Sequence, residues 1–322
     1  MTFFGSPPAP LIRGTEVWLD QLSIEHLEPV LTMVNDPEGS RLTATTQTFT
    51  RSQIESWLTA RPEQKDRCDW AILDAVTGEF LGEVVLNDLK HKTDSVSMNL
   101  RIALLSPEFY GRGIGTRAMR LALTFAFETL KLNQVRLEVL VDNARAQAAY
   151  RRVGFQPKRE FNDGKFRFLR MTVSKHDFVR AESQTLLEEH LDPKQWSFDF
   201  DAGKRRAGLC NYTERRITIS RHLVELHSID ESLQVMLHEI GHALAGKAAG
   251  HSKEWKAKAM AIGYRAEKFS GKQIAENTAT WIGLCAQGHE HFRYRQPKRE
   301  LSCGICGKGF SKKNLIRWQL RG

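Results

Sequence analysis

Residues 232–255, SLQVMLHEIGHALAGKAAGHSKEW, narrow the choice of fold more than any other stretch of the chain. His238 and His242 are four positions apart, so on a helix both imidazoles leave one face about a turn from each other and can share one metal ion. The neighbours Val235, Met236, Leu237, Ile240, Ala243 and Leu244 are apolar, which predicts a buried helix. Burying two histidines and a glutamate there without a metal is costly. Glu239 is placed to take a proton from water polarised by the metal, which makes it the expected catalytic base. Gly246 and Gly250 can end the helix and turn the chain, returning His251 as a third ligand. Three protein ligands leave one position open, the catalytic form of zinc.

A second, structural zinc is expected further on, because three of the five cysteines fall within residues 285–306. Cys303-Gly-Ile-Cys306 is a CxxC knuckle, and Cys285 with His289 supplies its other half, giving a closed Cys₃His set. His291 competes with His289, which is preferred because its Gly288-His289 pair precedes the strand-like run HFRYR. Cys68 and Cys210 are read as buried spectators. Charge is concentrated in the same region. Residues 251–322 carry +10 while residues 1–250 carry −1, the footprint of a segment that meets a polyanion such as nucleic acid. In HFRYRQPKRE, Arg293, Arg295, Lys298 and Arg299 interleave with Phe292 and Tyr294, a pattern suited to phosphate contact and base stacking. The same finger could instead grip the body of its own domain.

The first half of the chain has another character. From Glu16 to about Ser174 strand-like and helical runs alternate (VWLDQL, IEHLEPVLTMV, WAILDA, FLGEVVLNDL, VSMNLRIALL), which predicts a mixed sheet with flanking helices. Gly111, Gly113 and Gly115 lie between a predicted strand and a helix from about Arg112 to Leu130, where backbone amides and the helix dipole can face a diphosphate. The spacing fits neither a dinucleotide fingerprint nor a P-loop.

At 322 residues the chain is long enough for two or three folding units. Its longest apolar runs, such as LALTFAF, fall far short of a membrane span, and MTFFGSPPAPLIRG lacks the pattern of a secretory signal, so a cytoplasmic protein is expected. The expected fold class is α/β (α+β), divided into a mixed-sheet domain at 10–176, a mainly helical HExxH domain at 179–270 and a basic zinc ribbon at 281–322. The charged stretch 175–183 serves as the first boundary. In the second domain, WSFDFD and RRITIS are read as a strand pair around the turn NYTERR.

Two family resemblances follow from these motifs. Tyr110-Gly111-Arg112-Gly113-Ile114-Gly115, together with VDNARAQAAYRRVGF at 141–155, resembles the GNAT N-acetyltransferases, most of all the branch acting on ribosomal-protein N-termini and related amines. The resemblance implies acetyl-CoA as donor, bound by residues 110–115 with Thr116 and Asn143, and Tyr150 as the acid that protonates the departing thiolate. It also implies an amine acceptor, either a protein N-terminus or a small molecule. Tyr110 departs from the Gln or Arg usual at the loop's first position. Glu83 on FLGEVVL is the candidate general base. Residues 179–320, through Trp196-Ser-Phe-Asp-Phe, Arg216-Ile-Thr-Ile-Ser, the HExxH helix, GHSKEW and the ribbon, resemble the SprT-like zinc metalloproteases. That implies a metalloprotease acting on DNA-associated proteins, with DNA as partner through the basic C-terminal region. The rival reading is a nucleic-acid-binding scaffold whose acetyltransferase fold serves only for docking.

Overall fold

The computed structural model describes residues 9–93, 95–204, 206–266 and 276–321; residues 1–8 and the boundary at 270 lie outside them. It is α+β and divides into two compact units, 1–182 and 183–322. Among the described residues no helix is long and apolar enough to cross a membrane.

The first unit is built on a mixed sheet of β1 (Ile12–Arg13), β2 (Val17–Gln21), β3 (Cys68–Asp74), β4 (Phe80–Lys92), β5 (Ser95–Leu104), β6 (Gln134–Leu140), β7 (Gln156–Asp163) and β8 (Phe166–Val173). Their spatial order is β1-β2-β3-β4-β5-β6-β8-β7. β3 and the first half of β4 are buried on both faces, which explains why their buried residues are apolar apart from Asp69, Gly82 and Glu83. One face is covered by α1 (Leu27–Val34), α2 (Pro37–Thr43) and α3 (Arg51–Ala60), whose Leu27, Val30, Met33, Ile54 and Leu58 pack with Ala71 and Phe80. The other carries α4 (Ile114–Glu128), which buries Ala118, Met119, Ala122, Leu123 and Phe125 at helical spacing. Phe125 meets the fully buried Trp70 edge to face, with ring centroids 5.3 Å apart. α5 (Ala144–Arg152) follows β6.

The functional consequence lies between β5 and β6. These parallel strands pair only where Ser97–Asn99 meet Gln134–Arg136, and among the described residues their ladder stops there. Residues 100–104 of β5 remain paired with β4 on one side alone, so the sheet opens into a wedge toward the start of α4. β4 also bulges between Asn87 and Lys90, with Asp88 at φ +53°.

The charged stretch 175–183 is the first half of α6 (Lys175–His190), so the division between units falls inside a helix. In the second unit β9 (Ser197–Asp201), β10 (Gly208–Asn211) and β11 (Arg216–Ser220) form a sheet in the order β10-β11-β9. The expected pairing of WSFDFD with RRITIS is present as β9 with β11, but the turn NYTERR belongs to a different pair. The turn at 212–215 joins β10 to β11 as an antiparallel hairpin, and β9 lies parallel to β11 on its other side. Leu187, Phe198, Ile217, Ile219 and Leu223 pack with Val235, Met236 and Ile240 of α8 (Ile229–Ala245); α7 (Arg221–Leu226) precedes it and α9 (Lys253–Ala261) follows. Last comes a three-stranded antiparallel sheet of β12 (Trp281–Cys285), β13 (Glu290–Arg293) and β14 (Ile316–Leu320), with β12 in the middle.

Candidate active sites

α8 starts with a capping box. Ser228 Oγ accepts the Glu231 N–H at 3.1 Å and Glu231 accepts the Ser228 N–H at 2.8 Å. With Val235, Met236 and Ile240 turned into the core, His238 and His242 share an adjacent face. The helix ends at Gly246, at φ +84°, whose N–H reaches the His242 carbonyl at 2.9 Å; Gly250 then turns the chain at φ +50°. The return brings His251 Nε2 to 3.1 Å from Nε2 of both His238 and His242.

Three ring nitrogens so close cannot all be satisfied by hydrogen bonds to one another, since a neutral imidazole carries one proton. Burial, reinforced by His242 and His251, lowers His238 to about 4, and burial also lowers His242. Imidazole nitrogens that converge in this way fit a divalent cation with nitrogen ligands at about 2.0–2.1 Å. Trp255, itself 6% exposed, packs against all three imidazoles, with centroid distances of 4.8, 5.1 and 4.6 Å to His238, His242 and His251. Gly241 lets α9 come this close, because a Cβ there would lie 2.7 Å from Ala259 Cβ.

Glu239 is 8% exposed, and burial raises its pKa to about 7, opposed by the backbone N–H of Cys210 and the charge of Arg206. A carboxyl near 7 exchanges protons readily at neutral pH. Gly208 makes room for it: a Cβ at that position would fall 2.8 Å from both Cγ and Oε1 of Glu239. Gly208→Ala is therefore expected to displace the carboxylate, and any hydrolytic turnover that depends on it should fall at least tenfold at unchanged metal content by elemental analysis. Unchanged turnover would mean that the carboxylate's position does not matter.

In the first unit, Gly111 and Gly113 take φ +75° and +78°, and Gly113 is the N-cap of α4. Gly115 opens the helix's first turn with Ile114, which is buried, and Thr116, which is half-buried. Arg117 braces the loop from behind by donating to the Arg112 carbonyl at 2.8 Å while pairing with Glu16 at 2.8 Å. Its guanidinium would be 2.9 Å from a Cβ on Gly113. Across from the loop, the Arg145 guanidinium lies over the Tyr110 ring, 3.9 Å from its centroid.

Residues 16–156 match the family model "Acetyltransferase (GNAT) domain", and residues 176–276 match "SprT-like family". The chain carries a GNAT acetyltransferase domain followed by a SprT-like domain. It is similar to the spermidine N(1)-acetyltransferase of Escherichia coli, 32% identical over 120 residues, or 34% of this chain. The matched segment spans 63% of that relative's length. It is also similar to the FsC-acetyl coenzyme A-N(2)-transacetylase of Aspergillus fumigatus, 23% identical over 236 residues, covering 62% of this chain and 96% of that one. Among solved structures, the spermidine N-acetyltransferase of Vibrio cholerae in complex with CoA and spermine matches with a TM-score of 0.47 at 19% identity, covering 52% of this chain and 99% of that one.

In the GNAT domain, Asn143 caps α5: its Oδ1 accepts the Ala146 N–H at 3.1 Å. Its side chain thus sets where α5 begins. Tyr150, on that helix, packs edge to face on Phe155 at 5.9 Å; the ring is half-buried, and burial of the hydroxyl pushes it up to about 12. Glu83 on β4 is 8% exposed, Oε2 has no hydrogen-bond partner among the described residues, and burial raises its pKa, opposed first by Arg101.

Behind the SprT-like domain, Cys285, His289, Cys303 and Cys306 place one donor atom each within 4.8 Å of one another. Sγ of Cys285 and Cys306 are 3.7 Å apart, and His289 Nδ1 is 3.5, 3.7 and 3.2 Å from the sulfurs of Cys285, Cys303 and Cys306. These separations suit a tetrahedral zinc with Zn–S of about 2.3 Å. His291 lies outside the group, on β13 opposite Gly283. Tyr294 donates to the Lys204 carbonyl at 2.6 Å, so one aromatic of the basic finger holds the finger to the β9–β10 loop.

Sequence reasoning missed Gly208 and Arg145. Nothing in the local pattern marks Gly208, because its neighbour Glu239 is 31 residues away; Arg145 stood inside a quoted motif but reads as an ordinary exposed helix residue.

Proposed function

We propose that the chain is bifunctional: an acetyl-CoA-dependent N-acetyltransferase joined to a zinc metallopeptidase that acts on DNA-associated proteins. The convergence of three imidazole nitrogens at 3.1 Å, beside a carboxylate that only a glycine could leave room for, carries the peptidase half. Zinc bound there would polarise a water and a peptide carbonyl. Glu239 then holds the proton that must pass to the departing amine, and Trp255 keeps the ligands fixed.

For the acetyltransferase half, the Gly111–Gly115 loop and the N-terminus of α4 receive the donor's diphosphate, and the pantetheine arm follows the open edge of β5 in the wedge. Glu83, with its raised pKa, takes the proton of the amine, and Tyr150 hydrogen-bonds the departing thiolate. Polyamines such as the spermidine and spermine named in the relatives, and the ribosomal-protein N-termini that the motif resemblance implies, are the starting set. A structural zinc in the Cys₃His group holds a ribbon that meets DNA. From Leu301 to Arg321 it carries Lys308, Lys312, Lys313, Arg317 and Arg321 and no acidic residue, with Phe310 61% and Ile305 67% exposed.

The test is one preparation assayed twice. Thiol release from acetyl-CoA with an amine panel should survive a zinc chelator, and cleavage of DNA-bound protein should be abolished by it and restored by added Zn²⁺. Hydrolysis that ignores the chelator would overturn the peptidase half, and no thiol release above the hydrolytic blank with any amine would overturn the other.

A further inference from the structure

The anion-binding end of the GNAT domain has three arginines around it, and they differ in what already holds them. Arg117 is engaged by Glu16 and by the Arg112 carbonyl. Arg112 lies over the Phe109 ring at 5.4 Å. Arg145 comes from the first turn of α5, is exposed, and stacks on Tyr110 at 3.9 Å, with no carboxylate in ion-pair range among the described residues. The charge of Arg145 reaches Glu38, which is committed to a two-bond pair with Arg41 at 2.8 and 2.9 Å, and Asp36 accepts the Gly39 N–H at 2.6 Å.

We propose that Arg145, held by the Tyr110 ring, is a second clamp on the diphosphate of the acyl donor, facing the glycine loop from α5. The proposal rests on the acetyl-CoA reading of this loop. A guanidinium stacked on an aromatic face keeps its in-plane N–H groups free at the edges, and those edges are what bind phosphate oxygens in pairs. The ring limits the conformations of a long, exposed side chain, so less freedom is lost when the anion arrives. Tyr110 therefore acts through Arg145 and is a positioning residue, and the site's charge comes from a helix distant in sequence from the loop. The Asn143 cap fits the same picture, because it sets the first turn of α5 that carries Arg145.

The test is calorimetric binding of coenzyme A and of 3′-dephospho-coenzyme A to the full chain. Arg145→Ala should weaken both ligands equally, by about ten- to a hundredfold, the size expected for a lost charge-assisted contact. Tyr110→Phe should bind as wild type does, and Tyr110→Leu should lose about two- to tenfold through the freed arginine. Arg112→Ala should matter less than Arg145→Ala. Arg145 and Tyr110 lie outside the buried core, and unchanged melting of each variant separates a binding loss from misfolding. If the wild type binds coenzyme A and Arg145→Ala binds it equally well, the clamp is wrong and the acetyl-CoA reading stands. A loss confined to coenzyme A would move the contact to the 3′-phosphate and overturn the assignment to the diphosphate. No binding by the wild type would sink the acetyl-CoA reading itself.

Discussion

Glu239→Gln is expected to lower peptide hydrolysis by about a thousandfold or more while the chain keeps its full zinc content. The amide is nearly the same size as the carboxyl and still fits beside Gly208, where a Cβ would come within 2.8 Å of the wild-type side chain. Nothing in the three-histidine group changes, since Glu239 is not among the donors that converge there. What is lost is the ability to accept and return a proton, in a group that burial has raised to about 7. Gel-based cleavage of a DNA-bound protein, run beside elemental analysis, reads both quantities. A variant with full metal and near-normal turnover would show that the zinc site works without this carboxylate, or is structural.

Tyr150→Phe is expected to lower the acetyl-transfer kcat by about a hundredfold with little change in coenzyme A affinity. Burial has pushed the hydroxyl up to about 12, so it stays protonated throughout the neutral range. A phenol at 12 is a weaker acid than an ordinary thiol near 8.5, so its main contribution is a hydrogen bond to the thiolate as it leaves, with complete proton transfer secondary. That places the effect toward the lower end of what general acids contribute. The ring's contact with Phe155 is preserved in the variant, so stability should barely move. Steady-state thiol release decides the point, and an unchanged kcat would reduce Tyr150 to a packing residue.

The parts of this molecule that were legible in its sequence are those where spacing along one helix fixes geometry. His238, Glu239 and His242 needed only helical periodicity, and the glycines after Ala245 announced the turn that returns His251. The Cys285–Cys306 cluster was readable because short loops leave few ways to arrange four donors. Pairing across the sheets was harder. β7 went unread because QPKREFND is polar on both faces, as an exposed edge strand can be, so no alternation betrays it. The pairing of RRITIS with WSFDFD was readable, but its hairpin partner was missed, because GLCN has four residues and begins with a glycine whose reason is Glu239. Charge environments were equally hidden: the burial that raises Glu83 and the stacking that positions Arg145 both come from strands and helices far away in sequence.

Zinc per chain by elemental analysis in wild type, His242→Ala and Cys303→Ser decides whether the chain holds two zinc sites of different kinds, one open and one closed. Two zinc ions per wild-type chain, and one in each variant, are expected. Peptide cleavage should be lost in His242→Ala with the ribbon still metallated, whereas Cys303→Ser should destabilise the ribbon, because a domain so small depends on its metal for folding. A single zinc that survives His242→Ala would contradict the two-site reading, leaving only the ribbon metallated and the histidine helix without its reaction.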